Sequence, residues 1–410
     1  MTPLIHKIVG DPARVARRAA ALARIGGRGT AVTRLGLSDE ERRAHALVGD
    51  WLRRLGATVG RDEAANVVGR FGGMGASVVI GSHLDSVTEG GRYDGALGVV
   101  VAVEAMDALA RARVRLRKPV EVVGWTDEEG VRFGIGLFGS AAAFGRLPPR
   151  AAGRADRDGI SIREALRAMG LSGDPRKARI RSGTVRAYIE PHIEQGPRLA
   201  DARIPLAVVS SIVGILHGRV TVRGRQDHAG TTPMGQRADA FAGAAEMALA
   251  LERGAAARAG AVGTVGEIAA RPGAKNVVPG ECTFSIDVRA PAQRTLDAVV
   301  RDLRSSVARI AKRRGLEASI DVLNAVPVAP MDRRLRALLR RSCAAAGVDA
   351  PDLISGAGHD AENAQLAGVP TGMIFIRSRG GSHSPREDAD PRDAARAATA
   401  LAYAIRELCA

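Results

Sequence analysis

Four short apolar runs, each bounded by glycine or polar residues, set the frame of this chain: SVVIGS (77–82), PVEVVGW (119–125), GTVRAYIE (183–190) and TGMIFIRS (371–378). Their length and β-branched content read as strands. Alternation with helical stretches such as 96–111 predicts an α/β domain with a mostly parallel sheet. A metal-capable side chain follows each run within a few residues. These are His83 in GSHLDS (81–86), Glu129 in WTDEEGVRF (125–133), His192 in EPHIEQGP (190–197) and His383 in GGSHSPRE (380–387), joined by Asp94 in GGRYDGALGV (90–99). Sites in open α/β sheets collect beyond the carboxyl ends of the strands, which is where this spacing puts all five. Imidazole and carboxylate are ligands that a borderline metal such as zinc selects. The doubled acid Glu128-Glu129 offers one carboxylate for metal and one for proton transfer. Together these observations imply a two-metal hydrolase.

Residues 13–25 and 39–56 read as amphipathic helices, the second opened by Ser38 with Glu41 three residues on. From 208 to 324 the character changes. VVSSIVGILHGRVTVRG, ECTFSIDVRA and ASIDVLNAV read as strands, and DAFAGAAEMALALERGAAARAG and TLDAVVRDLRSSVARIAKRRG as helices. This mixture predicts an α+β, ferredoxin-like domain with an antiparallel sheet, inserted at 208–324 into a catalytic domain made of 1–207 and 325–410.

The formal charge of +16 raises the question of nucleic acid. The cations are almost all arginine, with lysine only at 7, 118, 177, 275 and 312, and they are scattered along predicted helices rather than gathered in a tail. Aromatic residues for base stacking make up only 3%, so nucleic acid is not an expected partner. Genomic base composition accounts for the arginine, and a weakly attractive field for anionic substrates follows from it. The first 25 residues hold no long apolar stretch and no run reaches eighteen apolar residues, so neither a signal peptide nor a membrane span is expected. Cys282, Cys343 and Cys409 are odd in number and far apart, which suits free thiols in a reducing cytoplasm.

GSHLDSV, GGRYDGALGV, DEEGVRF, HIEQGP, HAGTTPM and GSHSP, in that order, resemble the M20-type metallohydrolases. Within them, HIEQGP and HAGTTPM are similar to the branch of N-carbamoyl-L-amino acid hydrolases, β-ureidopropionases and allantoate amidohydrolases. The resemblance implies two divalent metal ions, zinc first with manganese, cobalt or nickel also compatible. His83 and His192 would hold one, Glu129 and His383 the other, and Asp94 would bridge them. It makes Asp85 the residue that orients His83 and Glu128 the general base. It makes His228, in RQDHAGTTPM, an oxyanion donor reaching a partner subunit's site. Arg289 in DVRAP, Asn276 in AKNVVPG, Gln195, Gly358 and His359 would contact substrate. The implied activity is hydrolysis of a carbamoyl or ureido C–N bond on a small carboxylate by a homodimer whose inserted domain serves as lid and dimerisation surface. Allantoate is the close alternative substrate. An aminoacylase or dipeptidase, or a metal-binding homologue without turnover, is more distant.

Of the eight histidines, only His6, His45 and His217 are left without a role. Arg237 in GQRADA reads as pairing with a carboxylate of its own domain. Two departures from the family pattern stand out. GGSHSP is one residue shorter than the family's spacing, which would either displace His383 slightly or be absorbed by the preceding loop. Asp127 stands where asparagine is common, and its charge would raise the proton affinity of Glu128 and Glu129.

Overall fold

The computed structural model describes residues 7–410 and divides into two compact units, one running through Ser210 and resuming at Pro330, the other Ser211–Ala329. His6 lies outside the described residues. In the first unit the four apolar runs become strands Ser77–His83, Val120–Trp125, Val185–Ile193 and Thr371–Ile376. They form the parallel centre of a nine-stranded sheet, in the spatial order 371–376, 185–193, 77–83, 120–125. Antiparallel strands continue it on both sides, Val67–Phe71 and Thr58–Arg61 beyond one and Leu206–Ile212 beyond the other. Every residue of Ser77–His83 and of Thr371–Ile376 is buried, as a parallel strand covered on both faces requires.

The helix Ala96–Arg111 is buried through Leu109 and packs on the sheet and on the C-terminal helix Pro391–Cys409. Both are rich in alanine, the first also in valine, and small side chains let their backbones approach closely. One ion cluster pins the N-terminal helix Pro12–Ala23 to this centre. The fully buried Glu104 accepts from Arg14 Nη2 at 2.8 Å, Arg18 Nη1 at 2.6 Å and the Asp11 N–H at 2.8 Å, while Arg18 also reaches Asp107 at 2.7 Å. The helix Asp39–Arg54 starts at Ser38, whose hydroxyl accepts the Glu41 N–H at 3.2 Å. Glu41 does not reach back to close a capping box; its carboxylate goes elsewhere, as described below.

The second unit is built from the antiparallel strands Gly214–Arg223, Val262–Thr264 with Ile268–Arg271, Glu281–Ala290 and Glu317–Val326, and the helices Ala240–Ala256 and Gln293–Arg314. Its strand order, with the first strand between the third and the last, is the ferredoxin-like arrangement. Strict alternation along Glu281–Ala290 sends Cys282, Phe284, Ile286 and Val288 into a core with Leu296, Val299 and Leu303 from the second helix. No helix among the described residues is long and apolar enough to cross a membrane.

Removing Glu104 leaves Arg14 and Arg18 largely buried with half of their compensation, a loss of about 3–5 kcal/mol for a broken buried pair. Trp51 and Trp125, the two tryptophans, both belong to the first unit, so urea unfolding followed by tryptophan fluorescence reads that unit. Glu104→Ala is expected to lower the midpoint clearly. An unchanged midpoint would show that the cluster contributes nothing.

Candidate metal centre

The four parallel strands end on one edge, and that edge builds the site. His83 closes its strand directly opposite Trp125 of the neighbour, which leads into Asp127-Glu128-Glu129. His192 lies near the end of its strand opposite Phe375. Asp94 precedes the buried helix Ala96–Arg111, and Gly95 between them has φ +58°. A methyl built on Gly95 would overlap the His83 ring, so only glycine lets Asp94 and His83 come this close.

Asp94 stands at the centre. Its Oδ1 lies 3.3 Å from His192 Nε2 and 3.8 Å from His83 Nε2. Its Oδ2 lies 3.4 Å from His383 Nε2, which is itself 3.2 Å from Glu129 Oε1. One carboxylate thus faces two separate ligand sets, His83–Asp94–His192 and Asp94–Glu129–His383. The ring nitrogens of His83 and His192 are 3.4 Å apart. His192 Nδ1 lies 2.9 Å from the Ile193 carbonyl, an N–H donation that leaves the Nε2 lone pair bare. Two imidazoles at about 2.0–2.1 Å from a tetrahedral ion would hold their nitrogens about 3.3–3.4 Å apart, which is the spacing here. The donor set fits divalent metal.

The electrostatics point the same way. Hydrogen bonds to Asp94 and Glu129 lift His383 to about 10, and His83 is raised despite its burial by Glu128, Asp85 and Asp94. Burial instead lowers His192 to about 4. The carboxylates thus draw positive charge onto two of the three rings, a demand that a cation meets by displacing those protons. Glu128 lies 3.8 Å from His83 Nε2. Burial is the chief force pushing its carboxyl well above the glutamate range; His83 opposes this, and Glu129, Asp360 and Asp85 reinforce it. Asp127 is driven upward itself, by burial and then Asp85.

Asp85, expected to orient His83, and several residues that the motifs did not single out hold this arrangement. Asp85 lies 3.3 Å from His83 Nδ1, and its two oxygens also accept the N–H groups of Glu128 and Glu129 at 2.9 and 3.0 Å. Glu41 accepts the Asp127 N–H at 2.9 Å and the Leu37 N–H at 2.6 Å. Glu387 accepts the N–H groups of Tyr93 and Asp94 at 2.7 and 3.1 Å, and Ser382 donates to both Asp94 and Glu387. Glu190, Tyr188 and Ser82 form a buried knot beneath His192, with Glu190 accepting the Ala361 N–H at 2.7 Å. Glu190 also approaches His192 and His359 closely enough to resemble a third ligand group, but these bonds already occupy its oxygens. Glu387 lies in the quoted segment GGSHSPRE and Glu190 in EPHIEQGP; neither spacing distinguishes a backbone clamp from a surface acid.

Gln195 donates from Nε2 to Asp94 Oδ2 at 2.9 Å, so it is bonded to the central carboxylate. His359 is buried against the His192 ring, 4.4 Å between centroids, with Nε2 2.8 Å from Ser355 Oγ. Gly358 precedes it, half-buried. The shortened GGSHSP segment leaves His383 within reach of both Asp94 and Glu129, at φ +58°. His228, Asn276 and Arg289 belong to the second unit. The exposed His228 accepts the N–H groups of Gly230 and Thr231 on Nδ1 at 3.0 and 3.2 Å. An accepting Nδ1 places the ring proton on Nε2, which is then a donor. Asn276 is exposed beside it, its carbonyl accepting the Ala229 N–H at 3.0 Å. Arg237 grips the carbonyls of Ala229 and Thr232 at 2.6 and 3.0 Å, and so holds the His228 turn through carbonyls where a carboxylate partner was expected. Arg289 makes a forked pair with Asp287 at 3.1 and 3.0 Å, and His217 lies 3.4 Å from that same aspartate. His45 is buried with Nδ1 3.0 Å from the Ala65 carbonyl.

Residues 79–407 match the family model described as Peptidase family M20/M25/M40. The chain belongs to this family. It is 40% identical over 384 residues to the N-carbamoyl-L-amino acid amidohydrolase of Geobacillus stearothermophilus, covering 92% of this chain and 93% of the relative. It is 36% identical over 404 residues to the probable allantoate deiminase of Oryza sativa subsp. japonica, covering 89% and 82%. A hydantoinase/carbamoylase family amidase from Burkholderia ambifaria superposes with TM-score 0.88 at 39% identity, covering 99% of this chain and 100% of that one.

Gly95→Ala is expected to displace the His83 ring and lower bound metal per chain, measured by elemental mass spectrometry after dialysis. Wild-type metal content with an unchanged melting temperature would show that the close approach of Gly95 to His83 is not needed.

Proposed function

We propose that this M20-family enzyme hydrolyses N-carbamoyl-L-amino acids, releasing ammonia, carbon dioxide and the amino acid. The observation that carries this reading is 40% identity, over nine-tenths of both chains, to an N-carbamoyl-L-amino acid amidohydrolase, together with the two ligand sets meeting at Asp94. In this reading His83, Asp94 and His192 would hold one divalent ion, and Asp94, Glu129 and His383 the second, zinc being the first choice. Bound there, the ions supply Lewis acidity toward the substrate carbonyl and lower the pKa of water.

Glu128 takes the proton from the attacking water and delivers it to the departing nitrogen. Its burial and acidic neighbours raise its proton affinity, which suits a group that must hold a proton between two steps. Asp85 fixes Glu128 through the backbone N–H and keeps His83 in place. Gln195 orients Asp94 and, with His359 and Gly358, contacts the substrate. Arg289 receives the substrate carboxylate, its guanidinium oriented by Asp287. His228 donates from Nε2 to the oxyanion, a contribution of several kcal/mol in comparable sites. It acts with Asn276 on the partner's site of a homodimer formed through the inserted unit, which also serves as lid. Three free, buried cysteines agree with a cytoplasmic setting.

Ammonia release from a panel of N-carbamoyl-L-amino acids, N-carbamoyl-β-alanine and allantoate tests the activity. Release from a carbamoyl amino acid, abolished by chelation, is the expected result. Release from allantoate alone would transfer the assignment to the deiminase branch, to which the rice relative's name belongs. Glu128→Gln is expected to keep its metal and lose turnover by about 10²–10⁴-fold; a normal rate would remove Glu128 from the mechanism. Mixing Glu128→Gln with His228→Ala subunits tests action in trans, because one of the two sites in each mixed dimer then has both groups. Random reassociation predicts recovery of about a quarter of wild-type activity. No recovery despite confirmed subunit exchange would place His228 in its own chain's site.

A further inference from the structure

A cleft of about 330 Å³ lies beside the helix Asp39–Arg54, over the strands Thr58–Arg61 and Val67–Phe71, and no part of the proposed mechanism uses it. We propose that it binds a small organic monoanion with an apolar body, a medium-chain carboxylate being the simplest representative.

The floor of the cleft is apolar and low, formed by Ala46 and Gly49 of the helix and Val59 and Val67 of the strands. Gly49 makes the room. A methyl there would stand 3.3 Å from Val59 Cγ1, 3.7 Å from Val67 Cγ2 and 3.6 Å from Arg53 Nη1. Glycine is unfavourable in a helix interior, and a side chain in its place would occupy the floor. Three arginines, Arg42, Arg53 and Arg61, also line the cleft.

Their present partners leave them able to take an anion. Arg42 pairs with Asp39 and Arg53 with Asp50, the latter at 2.8 Å, both exposed contacts between residues three apart on the helix. Such pairs are weak and readily exchanged. Arg61 donates from Nη2 to the Met169 carbonyl at 2.6 Å, a neutral acceptor, and Glu63 is a carboxylate near enough to feel its charge. The carboxylate among the lining residues, Glu41, is buried and already committed to the N–H groups of Leu37 and Asp127. Guanidinium forks over an apolar floor suit a carboxylate head on a hydrocarbon body. A cation is disfavoured by three like charges, and inorganic phosphate would leave the floor uncovered.

Calorimetric titration of the intact, metal-loaded protein with hexanoate tests this, with hexylamine and inorganic phosphate as comparison probes. One saturable hexanoate site is expected, retained in Arg289→Ala and absent for hexylamine. Affinity is expected to fall at least about tenfold in the double variant Arg53→Ala/Arg61→Ala, which loses two forked donors. Gly49→Ala, which fills the floor and keeps all three arginines, is expected to weaken hexanoate more than phosphate. Hexanoate binding that is absent, unchanged in the double variant, or lost in Arg289→Ala would overturn the proposal. Phosphate binding as tight as hexanoate would overturn the ligand class.

Discussion

The arrangement of this molecule depends on one carboxylate. Asp94 turns one oxygen toward His83 and His192 and the other toward His383, which also meets Glu129. Four strand ends and one helix start must converge on it within a few tenths of an ångström for both sets to form. A parallel sheet suits this task because all its carboxyl ends lie on one edge. The buried helix Ala96–Arg111 then brings Asp94 to that edge through a glycine that clears the His83 ring. The antiparallel strands flanking the parallel four contribute none of these ligands.

Around that carboxylate lies a set of buried acids whose job is to hold backbone. Asp85 fixes the Glu128 and Glu129 N–H groups, Glu41 that of Asp127, Glu387 those of Tyr93 and Asp94, and Glu190 that of Ala361. Each clamp sets a segment that carries or adjoins a candidate ligand, base or substrate contact, and each adds a carboxyl group to a low-dielectric region. Arg34, fully buried and hydrogen-bonded to the carbonyls of Leu22, Ile25 and Leu84, is the arginine placed to offset Asp85 and Glu41. The remaining excess falls on His83 and His383, whose raised proton affinity shows how strongly the centre favours a cation.

The strands and ligands were legible because each apolar run is short, bounded by glycine and followed by its functional side chain. Helix 96–111 was readable from the sequence to the residue. The clamps were not legible, because an acid that accepts a distant N–H has no local pattern: Glu41 lies 86 residues from Asp127 and Glu387 lies 293 from Asp94. Glu41 shows how a local rule misleads. Three residues after Ser38 it has the spacing of a capping-box acid, yet tertiary demand takes its carboxylate to Asp127. Arg237 is a similar case, since its nearest acceptors are carbonyls of a turn that sequence distance does not reveal. Asp127 was expected to press on its glutamate neighbours; it and Glu129 do repel each other, burial is the larger force on Asp127 itself, and Asp360, far along the chain, adds to the charge acting on Glu128.

This placement of acids also changes what the basic composition means. Among the described residues eleven aspartates and glutamates are buried, against one arginine. The interior therefore withdraws negative charge from the surface, and the exposed shell is more basic than the formal +16 indicates. The summed field of the surface arginines acts on small ions at distances up to the screening length. A carboxylate substrate would be drawn toward such a shell and then meet the acidic interior only at a centre that metal has made positive. The surplus of arginine that looks like a compositional accident in the sequence thus has a physical counterpart in the fold, because a site built from buried carboxylates leaves its cations on the outside.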